Sequence, residues 1–310
     1  MFLNKLSYDL KSFLFGTNHY SFVNHDDPCL YPLDLDFTLD DLKFHYLPFD
    51  SDGIPLITYK SIGEQYNATR IASYCLANYN RYKMKCCNKS FENFLNASSW
   101  FSDHDNGLFY YNFNWNDLVK PWISCMSQGE AISVLVRLYR ETSNNKFLEL
   151  ASAATKPFYL SINNSGLLTQ LPDGSPFLEE YPSLSTRHVL NGFLYALVGM
   201  IELNLLIDDD RLNRLINELV LTLENNISHW SVGKWSLYEY KSSSGIYNYS
   251  TPAYHNLHIT LLSFIISNFN SYTSIESTID QWTSSKLSFY TRIIALFSKT
   301  KFRIYNKTQR

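Results

Sequence analysis

The chain has 310 residues, 45% of them hydrophobic and 18% charged, so it is long enough to bury a sizeable core. Lys plus Arg number 26 against 29 Asp plus Glu, a net charge of −3 that excludes a globally basic nucleic-acid binder and an acidic disordered chain. Eleven Gly and ten Pro are too few for a loop-rich β-sandwich or a low-complexity segment.

The N-terminus is broken by Lys5, Asp9 and Lys11 and lacks the apolar stretch of a signal peptide. Residues 1–60, with their acidic cluster (Asp34, Asp36, Asp40, Asp41) and Pro28, Pro32 and Pro48, read as an irregular arm with short strands, one of them at Gly53–Tyr59. From Gly63 the period becomes helical: Tyr66, Ile71, Cys75 and Tyr79 share a face. Further helices are predicted at Ser90–Phe101, Gly129–Arg140, Asn145–Ala154, Arg187–Leu206, Asp210–Ile227, Tyr254–Asn268 and Ser274–Phe297. A loop or hairpin runs through Asp103–Asp117, and Gly- and Pro-bearing loops separate the later helices. Helices of this length in hairpin order suggest packing around a central axis, and an α/α toroid is one such arrangement. The longest apolar stretch, Val189–Ile207, carries Asn191, Glu202 and Asn204 and reads as a buried helix, so no transmembrane segment is expected.

Five Cys without a CxxC pattern fit a reducing compartment, and the expected location is cytoplasmic, with peripheral association at the inner membrane face. Residues 281–310 hold seven basic residues (Lys286, Arg292, Lys299, Lys301, Arg303, Lys307, Arg310) and no acidic one, leaving −10 on the rest of the chain. That asymmetry reads as a solvated basic helix and tail, or as attraction to an anionic polymer or membrane surface.

Gly-rich phosphate loops, HExxH and GxSxG are absent from the sequence. Three clusters set polar groups among apolar ones: Phe177–Pro182 with Glu179 and Glu180 beside Tyr181, Trp235–Tyr240 with Tyr238, and Tyr254–His258. Each could be a loop-to-helix junction with a capping Glu. His255 and His258, three apart, could hold a metal, but no carboxylate pattern accompanies them and no metal site is assigned. The functional alternative is proton transfer at a carbon acid, in which Tyr or Glu takes a proton, a second acid returns one, and donors neutralise the adjoining carboxylate. A tyrosine serving as base needs a cation nearby.

Several motifs occur in one order along the chain. They are Phe49-Asp50 with Gly53-Ile54-Pro55-Leu56, then Gly63, Tyr66, Ile71-Ala72 and Tyr74, then Trp122 to Ser133, with Gln128-Gly129 at its centre. Glu179-Glu180-Tyr181-Pro182 with Val189-Leu190-Asn191-Gly192-Phe193, Tyr238, and Tyr254-His255 with His258 follow. Together they resemble the C-terminal catalytic region of glucuronyl C5-epimerases, which convert D-glucuronate to L-iduronate within heparosan-type chains. The resemblance implies a mainly α fold, an incomplete α/α toroid over residues 61–310 behind the arm with its β-hairpins. It also implies a cleft for an anionic, heparosan-like polysaccharide, no cofactor, no nucleic-acid partner, and a homodimer. It carries Glu180, Tyr181, Tyr238 and Tyr254 over as acid/base residues. Tyr254 is expected opposite the Glu180/Tyr181 pair, with Tyr238 close to the ring. Gln128, Arg187, Asn191, Lys241, His255 and His258 are the expected substrate contacts.

Two departures bear on specificity. Lys241 stands where the animal enzymes have Arg and loses the bidentate fork, and Pro252-Ala253 replaces a Trp-Asp pair. The chain also looks like a compact bacterial form without the anchor and β-rich region of animal relatives, and its glycan could then differ from heparosan. A lyase using the same carbanion and a non-catalytic glycan-binding protein are the alternatives.

Overall fold

The computed structural model describes residues 9–14, 20–23, 29–269, 271–286 and 288–305. Residues 1–8 with Lys5, Pro28, and Lys307 and Arg310 of the basic tail lie outside them. The helical residues 9–14 (α1) open a loosely built arm that continues through α2 (Asp36–Asp40) and α3 (Leu42–His45). The arm is fastened to the body by Asn80, whose side-chain amide donates to Tyr31 O and accepts from Tyr31 N, both at 2.8–2.9 Å.

Strand β1 (Leu56–Tyr59) pairs antiparallel with β2 (Gly63–Tyr66), Leu56 opposite Tyr66. The predicted switch to helix at Gly63 is therefore early by five residues, and Tyr66 belongs to β2 instead of the helical face. Gly63 sits at φ 73° in the hairpin turn, and the helix starts only where Asn67 accepts from Arg70 N as N-cap.

The body is a series of helical hairpins. Helix α4 (Ala68–Lys85) packs on α5 (Asn88–Ser102), α6 (Cys125–Thr142) on α7 (Asn145–Ala154), α8 (Leu190–Ile207) on α9 (Asp210–Asn226), and α10 (Pro252–Ser267) on α11 (Thr273–Ser285). The first members of the pairs also touch each other, α4 on α6, α6 on α8 and α8 on α10, so they form an inner layer with the second members outside. The sequence explains the split. Helix α8 is buried all round from Leu190 to Leu203, whereas α9 buries one face (Leu212, Leu215, Ile216, Leu219, Leu223) and gives the other to water. Helix α8 is apolar and long enough to cross a bilayer by composition, yet 78% of it is buried inside the protein.

Helices α6 and α8 make the most extensive helix–helix contact. Gly129 lets them close: a Cβ there would lie 2.5 Å from Ala196 Cα and Tyr195 O, so any larger residue would push the helices apart. Further along, Arg137 forks onto Glu202, Nη1 to Oε2 at 3.0 Å and Nη2 to Oε1 at 2.6 Å, with both side chains out of water. Residue numbers rise together across this contact, so α6 and α8 run in the same direction and start at the same end.

The single predicted helix Ser274–Phe297 is two helices, α11 and α12 (Phe289–Tyr305). Ser285 Oγ donates to Lys234 O at the end of α11, and Ser288 Oγ accepts from Thr291 N at 3.3 Å, capping a new start that periodicity alone does not reveal. Helix α12 closes over α1 in a small second core of Phe13, Trp235, Leu237, Tyr249, Ala295 and Leu296, with the Arg303–Asp9 ion pair beside it.

Candidate active site

The short hairpin β3 (Leu168–Gln170) and β4 (Pro176–Leu178) delivers Glu179 and Glu180 to the shared starting end of α6 and α8. Cys125 N donates to Glu179 O at 3.1 Å, tying the strand exit to the first turn of α6. The two carboxylates then divide. Glu179 is fully buried with Oε1 2.6 Å from His188 Nδ1 and Oε2 accepting from His188 N, so it braces the loop into α8. Glu180 turns the other way, onto α8: Asn191 Nδ2 donates to its Oε2 at 3.4 Å. Gly192 makes the seat. A Cβ at that position would come within 2.6–2.9 Å of the Glu180 Cβ, Oε2 and Cγ atoms. Tyr181 follows half-buried, its ring 6.3 Å from that of Trp122.

The tyrosine pair reaches the same helix start through the backbone of Tyr238. Leu190 N, one residue before Asn191, donates to Tyr238 O at 3.0 Å, and Tyr238 N donates to Asn248 O at 2.8 Å. Those bonds hold the stretch after the short antiparallel pair β5 (Ser231–Val232) and β6 (Trp235–Ser236) against α8. Tyr254 sits in the first turn of α10, capped by Thr251, and its ring meets that of Tyr238 edge-on at 5.3 Å. Tyr238 is buried to 8% exposure, while Tyr254 is 38% exposed and so forms the solvent side of the pair. Glu180 and the two tyrosines thus come from three different segments, and adjacent residues at the start of α8 join them.

Several neighbours escape sequence reasoning. Lys299 of α12 reaches in so that its Nζ lies 5.9 Å from the centre of the Tyr238 ring, a cation beside the tyrosine of the kind the sequence argument asks for. Its ammonium donates to Asn248 Oδ1 at 2.6 Å, Asn248 Nδ2 donates to Glu239 Oε1, and Arg187 Nε donates to Glu239 Oε2 at 2.7 Å. The signal available was a Lys in register with buried Ala295 and Leu296. Glu130 of α6 is buried with Oε2 unbonded; burial, and then the charge of Glu180, hold its carboxyl well above the ordinary range.

The expected substrate contacts separate into two groups. Asn191 lies beside Glu180, and Arg187 lies in the Glu239 network near Tyr238. The other four are bonded within the protein itself. Gln128 is fully buried, its carbonyl accepting from Phe109 N and its amide donating to Gly107 O and Ala154 O, which makes it a brace for the loop above α6. Lys241 gives its ammonium to Ser228 O at 2.9 Å, and burial lowers its pKa. His255 and His258 are both inaccessible to a ligand. Their Nδ1 atoms meet Ser236 Oγ at 2.9 and 3.1 Å, His255 Nδ1 accepts from Ser236 N, and His255 stacks on Trp235 at 4.0 Å. They lock β6, which leads to Tyr238, onto α10, which carries Tyr254. Among the described residues no three His, Cys, Asp or Glu side chains come together as a metal-ligand group.

The histidine lock has a pH consequence. Burial lowers both imidazoles to about 3, against about 6.5 in an unfolded chain. The folded state therefore refuses protons that the unfolded state takes up. The stability they contribute is fully present above about pH 6.5 and is lost as pH falls toward 3, at about 1.4 kcal/mol per unit for each histidine. The urea midpoint is expected to drop measurably between pH 7 and 5; a constant midpoint over that interval would contradict the neutral pair.

The model of the D-glucuronyl C5-epimerase C-terminus matches residues 102–284, a span that holds every acid/base candidate but not Lys299. A D-glucuronyl C5-epimerase of Caenorhabditis elegans is 30% identical over 181 residues, 53% of this chain and 29% of that protein, so the match spans less than a third of that relative's length. Among solved structures, a GH76 alpha-mannanase of Bacteroides thetaiotaomicron is similar over 99% of this chain and 97% of its own, with a TM-score of 0.53 at 9% identity. An unsaturated glucuronyl hydrolase of Streptococcus agalactiae is similar over 78% of this chain and 71% of its own, with a TM-score of 0.51 at 11% identity. These two likenesses concern the fold, the α/α toroid that the inner and outer helical layers build. With 183 consecutive residues under the family model, including the Glu180 and tyrosine segments, the chain belongs to the D-glucuronyl C5-epimerase C-terminus family.

Proposed function

We propose that the protein epimerises D-glucuronate to L-iduronate at carbon 5 within an anionic polysaccharide of the heparosan type. Family membership supports the reaction class, and the observation that carries the residue assignment is the junction at the start of α8. There one backbone step separates the residue bonded to Tyr238 from the residue bonded to Glu180.

The hydrogen at carbon 5 is made acidic by the adjoining carboxylate, and negative charge grows on the carboxylate oxygens as it leaves. Glu180 with Tyr181 would serve one face of the sugar and Tyr254 the other, with Tyr238 close to the ring. One group takes the proton, and a group on the opposite face returns one, which inverts the centre. Asn191, beside Glu180, and Arg187, in the Glu239 network, would be the donors that offset the growing charge. Arg187 already shares its guanidinium with Glu239, so substrate would have to compete for it. The positive charge of Lys299 beside Tyr238 supports that tyrosine as a proton carrier.

Incubation with N-acetylated and N-sulfated heparosan in deuterated water tests this. Deuterium at carbon 5 with iduronate signals in the NMR spectrum is the expected result. An ultraviolet-absorbing unsaturated product would instead identify a lyase, and binding with neither exchange nor elimination would identify a glycan-binding protein.

A further inference from the structure

Helix α12 has two apolar faces, and only one is used. Its inner face places Ala295 and Leu296 in the small core and Lys299 against Tyr238. Its outer face leaves Phe289, Tyr290, Ile294, Phe297, Ile304 and Tyr305 exposed, at 42–75% of their full area. Positions 290, 294, 297, 301 and 304 follow at steps of four and three, so these side chains and Lys301 make one continuous stripe along the helix. Aromatic side chains of this size at such exposure are costly in water, and a row of them on one helix marks a surface that something covers.

Charge narrows what that is. No acidic residue occurs from Gln281 to Arg310, while Lys286, Arg292, Lys301 and Arg303 belong to the described part of that stretch outside the core. Asp9 offsets Arg303, and the remaining balance is positive. A second copy docked through the same stripe would set basic side chains against basic side chains with no acid to pair them. An anionic polysaccharide would satisfy the lysines and leave the isoleucines and Phe297 in water. A surface that is negative outside and apolar a few ångströms deeper satisfies both, and Tyr and Phe flanked by Lys and Arg is the composition that settles at that boundary.

We propose that the outer face of α12 docks the protein on an anionic lipid bilayer, with its aromatic and isoleucine side chains at the level of the headgroups and Lys301 against the lipid charge. This is independent of the reaction proposed above. Because α12 also presents Lys299 to Tyr238, docking would set Tyr238 at a fixed position above the membrane.

Co-sedimentation of the full chain with vesicles tests the surface. Binding to phosphatidylcholine vesicles containing phosphatidylglycerol is expected, with little binding to phosphatidylcholine alone and weakening in high salt. Lys301→Gln is expected to weaken binding about five-fold, and Ile294→Ser with Phe297→Ser about ten-fold or more. Both variants alter exposed positions, so the thermal unfolding midpoint and carbon-5 exchange should stay at the parent level. Failure of the parent protein to pellet with either vesicle, or equal pelleting of parent and variants, would overturn the proposal. A concentration-dependent dimer in light scattering that the same substitutions abolish would assign the stripe to a second copy instead.

Discussion

Tyr238→Phe is expected to lower the rate of iduronate formation by about 10²–10⁴-fold, the range that a positioned acid or base contributes. The substitution removes one oxygen and little else. The backbone bonds that hold the segment, Leu190 N to Tyr238 O and Tyr238 N to Asn248 O, do not involve the side chain. The ring stays to meet Tyr254 edge-on, and Lys299 keeps its bond to Asn248. Loss of fold is therefore not the expected route to lost activity, and an unchanged thermal midpoint is part of the prediction. A hydroxyl that acts in the transition state should cost kcat with little change in KM, whereas one that merely helps to seat the sugar should raise KM at constant kcat. Measuring both constants, with carbon-5 deuterium exchange alongside, separates the cases. Exchange that persists without iduronate would mean that the other face still works alone, and normal turnover would remove Tyr238 from the chemistry.

That assignment also shows how far the sequence could be read. Helices with a strong 3.6-residue pattern were legible because burial itself writes the pattern: α7 begins and ends where predicted, and α5, α8, α9 and α10 lie within a few residues. Boundaries set by one side-chain bond were not legible, as at Ser288, where a capping hydroxyl splits an uninterrupted amphipathic run. The site divides in the same manner. Glu179 and Glu180 are chemically alike and adjacent, and only the direction in which each leaves the strand makes one a brace and the other a candidate acid. Gln128, His255 and His258 sit in distinctive motifs, yet their polarity is spent on the protein itself. Lys299 lies over 40 residues from the nearest acid/base candidate, so no local pattern could bring it to Tyr238; the fold of α12 does.

Arg137→Ala is expected to cost about 3–5 kcal/mol of stability. Arg137 and Glu202 have side-chain exposures of 1% and 9%, and truncating the arginine leaves the carboxylate buried without its cation. The guanidinium also donates to Ser133 O and lies over the rings of Tyr31 and Tyr79, so the same substitution opens a cavity between α6, α8 and the arm. Replacing both partners with apolar residues of similar volume, Arg137→Met with Glu202→Leu, removes the stranded charge and should recover most of the loss. Urea unfolding of the two single variants and the double variant measures the coupling directly. Activity adds a second reading, since α6 and α8 run side by side from the pair to the end where Glu180 and Asn191 meet. If the ion pair is needed for register, the double variant should fold as stably as the parent and still lose turnover. If Gly129 and the apolar contact are enough to set the register, it should keep both.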